Sequence, residues 1–193
     1  MRMMTALIGA LLLAASGAAA QSGPAQFSPE WYRQFRVQFS APAEPFHIVG
    51  NIYYVGAANI ASYLIVTPEG NILIDTGMKE MHDVIKANIA KLGFKVSDIK
   101  IMLSSHAHFD HIEGHAMMQK LTGAKVMAME GDAEALSSGK DNSALGAIGW
   151  EPVKIDRVLK DGDTVSLGGT VLRAMRTPGH TQGADRKSTR LNS

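Results

Sequence analysis

Four of the seven histidines in this 193-residue chain fall inside one stretch of twelve, SSHAHFDHIEGH at positions 104–115. In an extended segment, residues two apart project to the same side, so His106 and His108 can reach a single ion together. Asp110 and His111 come after the chain turns and can address a neighbouring ion. Imidazole nitrogens with a carboxylate and no sulfur suit Zn²⁺, and such a set that leaves a position for water belongs to catalytic rather than structural sites. The chain has no cysteine, so a closed thiolate site is excluded. A solvated histidine-rich loop is the plain alternative. The H-x-H-x-D-H spacing directly at the end of a buried strand argues against it.

One ion still needs a third imidazole. RTPGHTQG offers His180 at the end of another strand, after a Pro-Gly turn. Asp75, in NILIDTG, closes a further strand, where its carboxylate either orients an imidazole from behind or caps the turn. His47 and His82 lack such companions and are read as structural or surface residues. His115 falls beyond the turn, on a helix, and is left out of the ligand set. Ser104 and Ser105 precede the cluster, but no S-x-x-K arrangement goes with them, which disfavours a serine acylation mechanism. The pair Met117-Met118 reads as core filling rather than as a soft-metal box.

These side chains need strand ends to carry them. The runs 46–56 and 60–67 are β-branched and aromatic, and a PEGN turn leads into NILID, giving a meander of three short strands. Met81, Val84, Ile85, Ile89 and Leu92 recur at helical spacing before Gly93, which predicts an amphipathic helix over 79–92. The nearly continuous apolar run 98–104 is the pattern of a buried strand, and the histidines begin where it stops. A helix over 112–121, a strand over 124–129 and a short helix over 132–137 follow. After a loop over 137–152 come strands over 153–159, 164–167 and 170–177. Strands in a meander, then strands alternating with helices, predict an α/β layered sandwich with a mixed sheet.

Composition fits one domain with a real core: 46% of residues are hydrophobic and 19% charged. The formal net charge is +1, and Arg2 with the basic residues after Ala184 account for all of it. No basic surface is left to recruit nucleic acid or anionic lipid. The opening MRMMTALIGALLLAASGAAA reads as a secretory signal over 1–20 with cleavage after Ala20, so the protein is expected to be periplasmic or secreted, free of the membrane once cleaved. Residues 21–45 read as an irregular N-terminal arm punctuated by Pro42 and Pro45.

The motif H-x-H-x-D-H, preceded by a strand ending in D-T-G and followed by T-P-G-H-T, resembles the metallo-β-lactamase superfamily. The flanking stretches PFHIVGNIYYVG, SYLIVTPEGNILIDTG and VKIDRVLKDGDTVSLGGT are similar to those of secreted subclass B3 enzymes. The resemblance implies a four-layer αβ/βα sandwich with two zinc ions at the sheet edges. His106, His108 and His180 would hold the first ion, with Asp110 and His111 on the second. Two cations flanking a water lower its pKa enough to supply hydroxide near neutrality, which would open the amide bond of penicillins, cephalosporins and carbapenems. Asp110 would orient that nucleophile as the catalytic carboxylate. The expected partner is a small β-lactam, and the expected state a monomer. A lactone, thioester or other ester is the alternative substrate, because the metal motif is shared across the superfamily.

The resemblance runs from about Pro45 to Gly183. Family members continue with further strands, another histidine for the second zinc, and serines for the substrate carboxylate. Here the chain reads ADRKSTRLNS, and DRKSTRLNS resembles a translated sequencing adapter. Residues 46–184 are therefore expected to form a partial domain, 185–193 a non-native tail, and the second zinc site to be incomplete. An inactive zinc-binding fragment is the corresponding alternative.

Overall fold

A computed structural model of the protein describes residues 27–141 and 148–189. The expected signal over 1–20 lies outside the described residues. So do 21–26, the middle of the 137–152 loop, and 190–193.

The stretch read as an irregular arm contains helix α1 (Pro29–Phe39). Its start is written in the residues: Ser28 accepts from the N–H of Trp31, and Pro29 occupies the first turn, where its missing N–H costs nothing. Tyr32, Phe35 and Phe39, three and four apart, pack on the main core. The two later prolines, Pro42 and Pro45, lie beyond the helix and do not interrupt it.

Seven strands form one mixed sheet in chain order: β1 (Phe46–Val49), β2 (Ile52–Tyr54), β3 (Tyr63–Thr67), β4 (Gly70–Ile74), β5 (Ile99–Leu103), β6 (Lys125–Met129) and β7 (Ile155–Leu159). The run 46–56, expected as one strand, is a hairpin: Val49 pairs with Ile52 and Gly50 takes the positive φ of +57° that the two-residue turn requires. From β1 to β4 neighbours are antiparallel, joined by direct turns. From β4 to β7 they are parallel. The parallel steps follow from the crossovers, which run through α2 (Met81–Lys91), then α3 (Phe109–Ile112) with α4 (His115–Thr122), then α5 (Ala133–Ser138). The single helix expected over 112–121 is divided because Gly114 hydrogen-bonds back to Gly77 and approaches Thr76 so closely that a Cβ would stand 2.9 Å from its carbonyl oxygen.

Period-two alternation assigns each strand residue to a layer. Leu64, Leu73, Met102 and Val126 face α2, α4 and α5 in the larger core. Their neighbours Ile65, Ile72, Ile101, Leu103 and Met129 face the other way, onto Val165, Leu172 and Ala174. Those three belong to a second, antiparallel sheet of β8 (Thr164–Leu167), β9 (Thr170–Arg176) and β10 (Asp185–Ser188), in the order β10-β9-β8. Burying each large aliphatic side chain contributes roughly 2 kcal/mol.

The described residues thus supply helix, sheet and sheet, three layers of the αβ/βα sandwich. On the outer face of β9, Val171 and Met175 are exposed. Residues 185–188, the start of the expected foreign tail, pair with β9 as an edge strand. No helix among the described residues is long and apolar enough to cross a membrane.

Candidate metal centre

β4 and β5 are parallel neighbours, so their carboxyl ends emerge at one edge of the sheet, carrying Asp75 and the run from Ser104 to His111. The hairpin between β9 and β10 carries His180 to the same place. His106, His108 and His180 each offer one nitrogen, all within 4.8 Å of one another; His106, Asp110 and His111 form a second such group. The three ring centroids of the first group stand 4.4 to 4.9 Å apart. All five residues singled out as ligands in the sequence are therefore brought together. His47, His82 and His115 belong to neither group.

Whether a cation suits this cluster can be read from the atoms. Nε2 of His106 is buried and has no hydrogen-bond partner, while Nδ1 of His108 faces Nε2 of His180 at 3.0 Å. Burial first, then the like charge of His111, pushes His106 down to about 3; burial likewise lowers His108. Both are neutral near pH 7 and present lone pairs, as ligands must. Nitrogens that converge this closely suit a positive ion at their centre.

Asp75 lies behind the cluster, 4% exposed, with a φ of +58° that places it among the few non-glycine residues in the left-handed region. Its Oδ1 accepts from the N–H of Ser105 at 2.7 Å and its Oδ2 from the Ser105 hydroxyl at 2.7 Å. The same Oδ2 is 3.0 Å from Nδ1 of His111. Burial pushes the Asp75 carboxyl up, but His111 and the Ser105 bonds outweigh it and hold it below the usual carboxylate range. Burial lowers His111 in turn, and Asp75 followed by Asp110 more than reverses this. With Nδ1 committed, Nε2 of His111 turns toward Asp110, 3.7 Å from its Oδ2.

Sequence reasoning missed three supporting residues. Ser105, considered only as a nucleophile, is engaged by Asp75 and stands 3.1 Å from Nδ1 of His106. His115 is wholly buried, its Nδ1 2.7 Å from the Thr76 hydroxyl. Asp132, which in sequence signals only a helix start, reaches both ligand loops. Phe109, between two ligands, lies against Tyr32 and Phe35 of α1 at centroid distances of 6.1 and 5.8 Å. A cleft of about 180 Å³ beside the exposed His180 gives a ligand access.

Comparison with known proteins agrees with this geometry. The metallo-β-lactamase superfamily pattern matches residues 55–185. The FEZ-1 metallo-β-lactamase from Legionella gormanii is 47% identical with a TM-score of 0.75, over 79% of this chain and 60% of that one. The class B3 di-zinc metallo-β-lactamase LRA-12 from an Alaskan soil metagenome is 45% identical with a TM-score of 0.76, over 78% of this chain and 58% of that one. A hydroxyacylglutathione hydrolase of Maricaulis maris is 33% identical over 52% of this chain and 32% of its own length. The chain thus spans under two thirds of the solved structures and about a third of the curated relative. With the pattern covering both ligand loops and the strands that lead into them, the chain belongs to the metallo-β-lactamase superfamily.

Proposed function

We propose that the protein is a zinc-dependent β-lactamase of subclass B3 type, exported to the periplasm, where it opens the amide bond of β-lactam antibiotics. The observation that carries the reading is the convergence of His106, His108 and His180 beside Asp110 and His111, on a chain more than 40% identical to solved β-lactamases. A sulfur-free set of imidazoles and one carboxylate favours Zn²⁺ among common divalent ions. When bound there, zinc supplies a Lewis acid for the lactam carbonyl and lowers the pKa of a water.

The chain's own residues do the rest. His106, His108 and His180 hold the first ion, and Asp110 with His111 addresses the second. Asp75 fixes His111 with Nε2 toward the site. In this reading the Asp110 carboxylate orients the attacking water and accepts its proton. Ser105 donates to Asp75 and has no S-x-x-K partner, and direct attack by water needs no acyl-enzyme.

The curated relative's name favours a second reading, hydrolysis of a glutathione thioester. Side-by-side turnover of nitrocefin, a carbapenem and a hydroxyacylglutathione by the zinc-loaded protein separates the two. Lactam turnover at least tenfold above thioester turnover is expected. The reverse ratio overturns the β-lactam assignment.

A further inference from the structure

Asp132 follows β6 at the N-cap position of α5, where an aspartate ordinarily bonds the first amides of its own helix. This one makes no such bond. It is 3% exposed, and both oxygens turn into the gap between the loops that carry the imidazoles. Oδ2 accepts from the N–H of Ala107 and from the Thr181 hydroxyl, both at 2.8 Å, and Oδ1 accepts from the N–H of Gly183 at 2.9 Å. Ala107 separates His106 from His108. Thr181 is the residue after His180.

We propose that Asp132 is a positioning residue for the tri-histidine site, its one carboxylate fixing the separation of the His106/His108 loop from the His180 loop. This rests on the metal reading above and adds to it a group that touches no ion.

The physical need is clear. A cation between His108 and His180 replaces the hydrogen bond those two imidazoles can share. Three lone pairs aimed at one point do not attract one another, so other bonds must hold them in place. A carboxylate is all acceptor and can satisfy three donors at once; a neutral amide cannot. The turn that carries Asp132 also meets the His180 loop backbone to backbone. A Cβ on Gly131 would stand 2.5 Å from the Gln182 carbonyl carbon, and one on Gly183 would stand 2.6 Å from the carboxylate carbon of Asp132. Further hydrogen bonds between the two imidazole-bearing loops join the Asp185 N–H to the Ser105 carbonyl and the Lys187 ammonium to the Ser104 carbonyl. Both fall outside the intervals that contain the ligands.

The test uses the full chain and Co²⁺ alone as probe, comparing the parent with Asp132→Asn, Thr181→Val and Thr181→Ser. Affinity is read by titration, site geometry by the visible absorption of the bound ion, and folding by the melting of the metal-free protein. Asp132→Asn is expected to weaken Co²⁺ binding 10- to 100-fold and alter the visible bands, as loss of an outer partner to metal ligands typically does. Thr181→Val should weaken it less, and Thr181→Ser, which keeps the hydroxyl, should restore it. If Asp132→Asn fails to fold, the Thr181 pair carries the test by the same criterion. Parent affinity and parent bands in Asp132→Asn, or in Thr181→Val where that pair decides, overturn the positioning role alone, even if melting falls. A parent chain that takes up no Co²⁺ overturns the metal reading and this role with it.

Discussion

Nδ1 of His111 donates to Oδ2 of Asp75 across 3.0 Å, and this contact decides which nitrogen of the imidazole remains for a cation. A carboxylate can only accept, so the proton sits on Nδ1 and the lone pair on Nε2.

Replacing Asp75 should therefore damage the site through the tautomer as well as through lost bonds. Asparagine tolerates the φ of +58°, but its amide would meet either Ser105 or His111 donor to donor. Asp75→Asn is expected to weaken binding of the cation addressed by Asp110 and His111 about 10- to 100-fold, nearly as much as Asp75→Ala. Metal titration checks this. Parent affinity in Asp75→Asn would show that the tautomer is set elsewhere.

The three imidazoles should act as one unit. Each of His106→Ala, His108→Ala and His180→Ala is expected to cut turnover at least 1,000-fold, and exhaustive chelation of the parent should do the same, reversibly on return of Zn²⁺. His180 is exposed. Its removal should leave the melting temperature of the metal-free protein almost unchanged, which calorimetry can verify.

Stability should depend on pH through His115. Burial pushes this fully enclosed imidazole down to about 4, against 6.5 when unfolded. Between those values the unfolded chain binds a proton that the folded chain refuses. The folded state therefore keeps its full margin above pH 6.5 and loses it as pH falls toward 4, by up to about 3 kcal/mol. Denaturant melts of the metal-free protein at pH 7.5 and 4.5 measure the loss, and His115→Gln should shrink it, the remainder coming from His106 and His108, which burial also pushes down.

Arg36 joins α1 to the loops around the site. Its guanidinium bonds Glu80 at 2.7 and 2.9 Å and also reaches Glu113, whose carboxylate accepts from the N–H of Lys79. Arg36→Met would leave the Glu80 and Glu113 carboxylates facing each other without a cation. A destabilisation of about 2 kcal/mol is expected, reduced in the double variant with Glu113→Gln.

The sequence read most faithfully where chemistry and period agree. The candidate cluster was visible because H-x-H places two imidazoles on one side of an extended chain, and the parallel strands because apolar runs alternate with helices. Two kinds of feature were hidden. Helix α1 was obscured by Pro42 and Pro45, although Ser28-Pro29 is a sound helix start. Asp132 and Ser105 act across 25 to 51 and 30 residues of sequence, distances over which no local pattern shows a hydrogen bond.

His108 and His180 face each other from positions 72 residues apart in a chain that has no cysteine. A cation gripped between them would serve as a reversible staple, closing a long loop as a disulfide does elsewhere and narrowing the ensemble available to the unfolded polypeptide. Metal supply would then govern how long the protein survives as well as how fast it works, and starvation for the ion would mark the molecule for proteolysis.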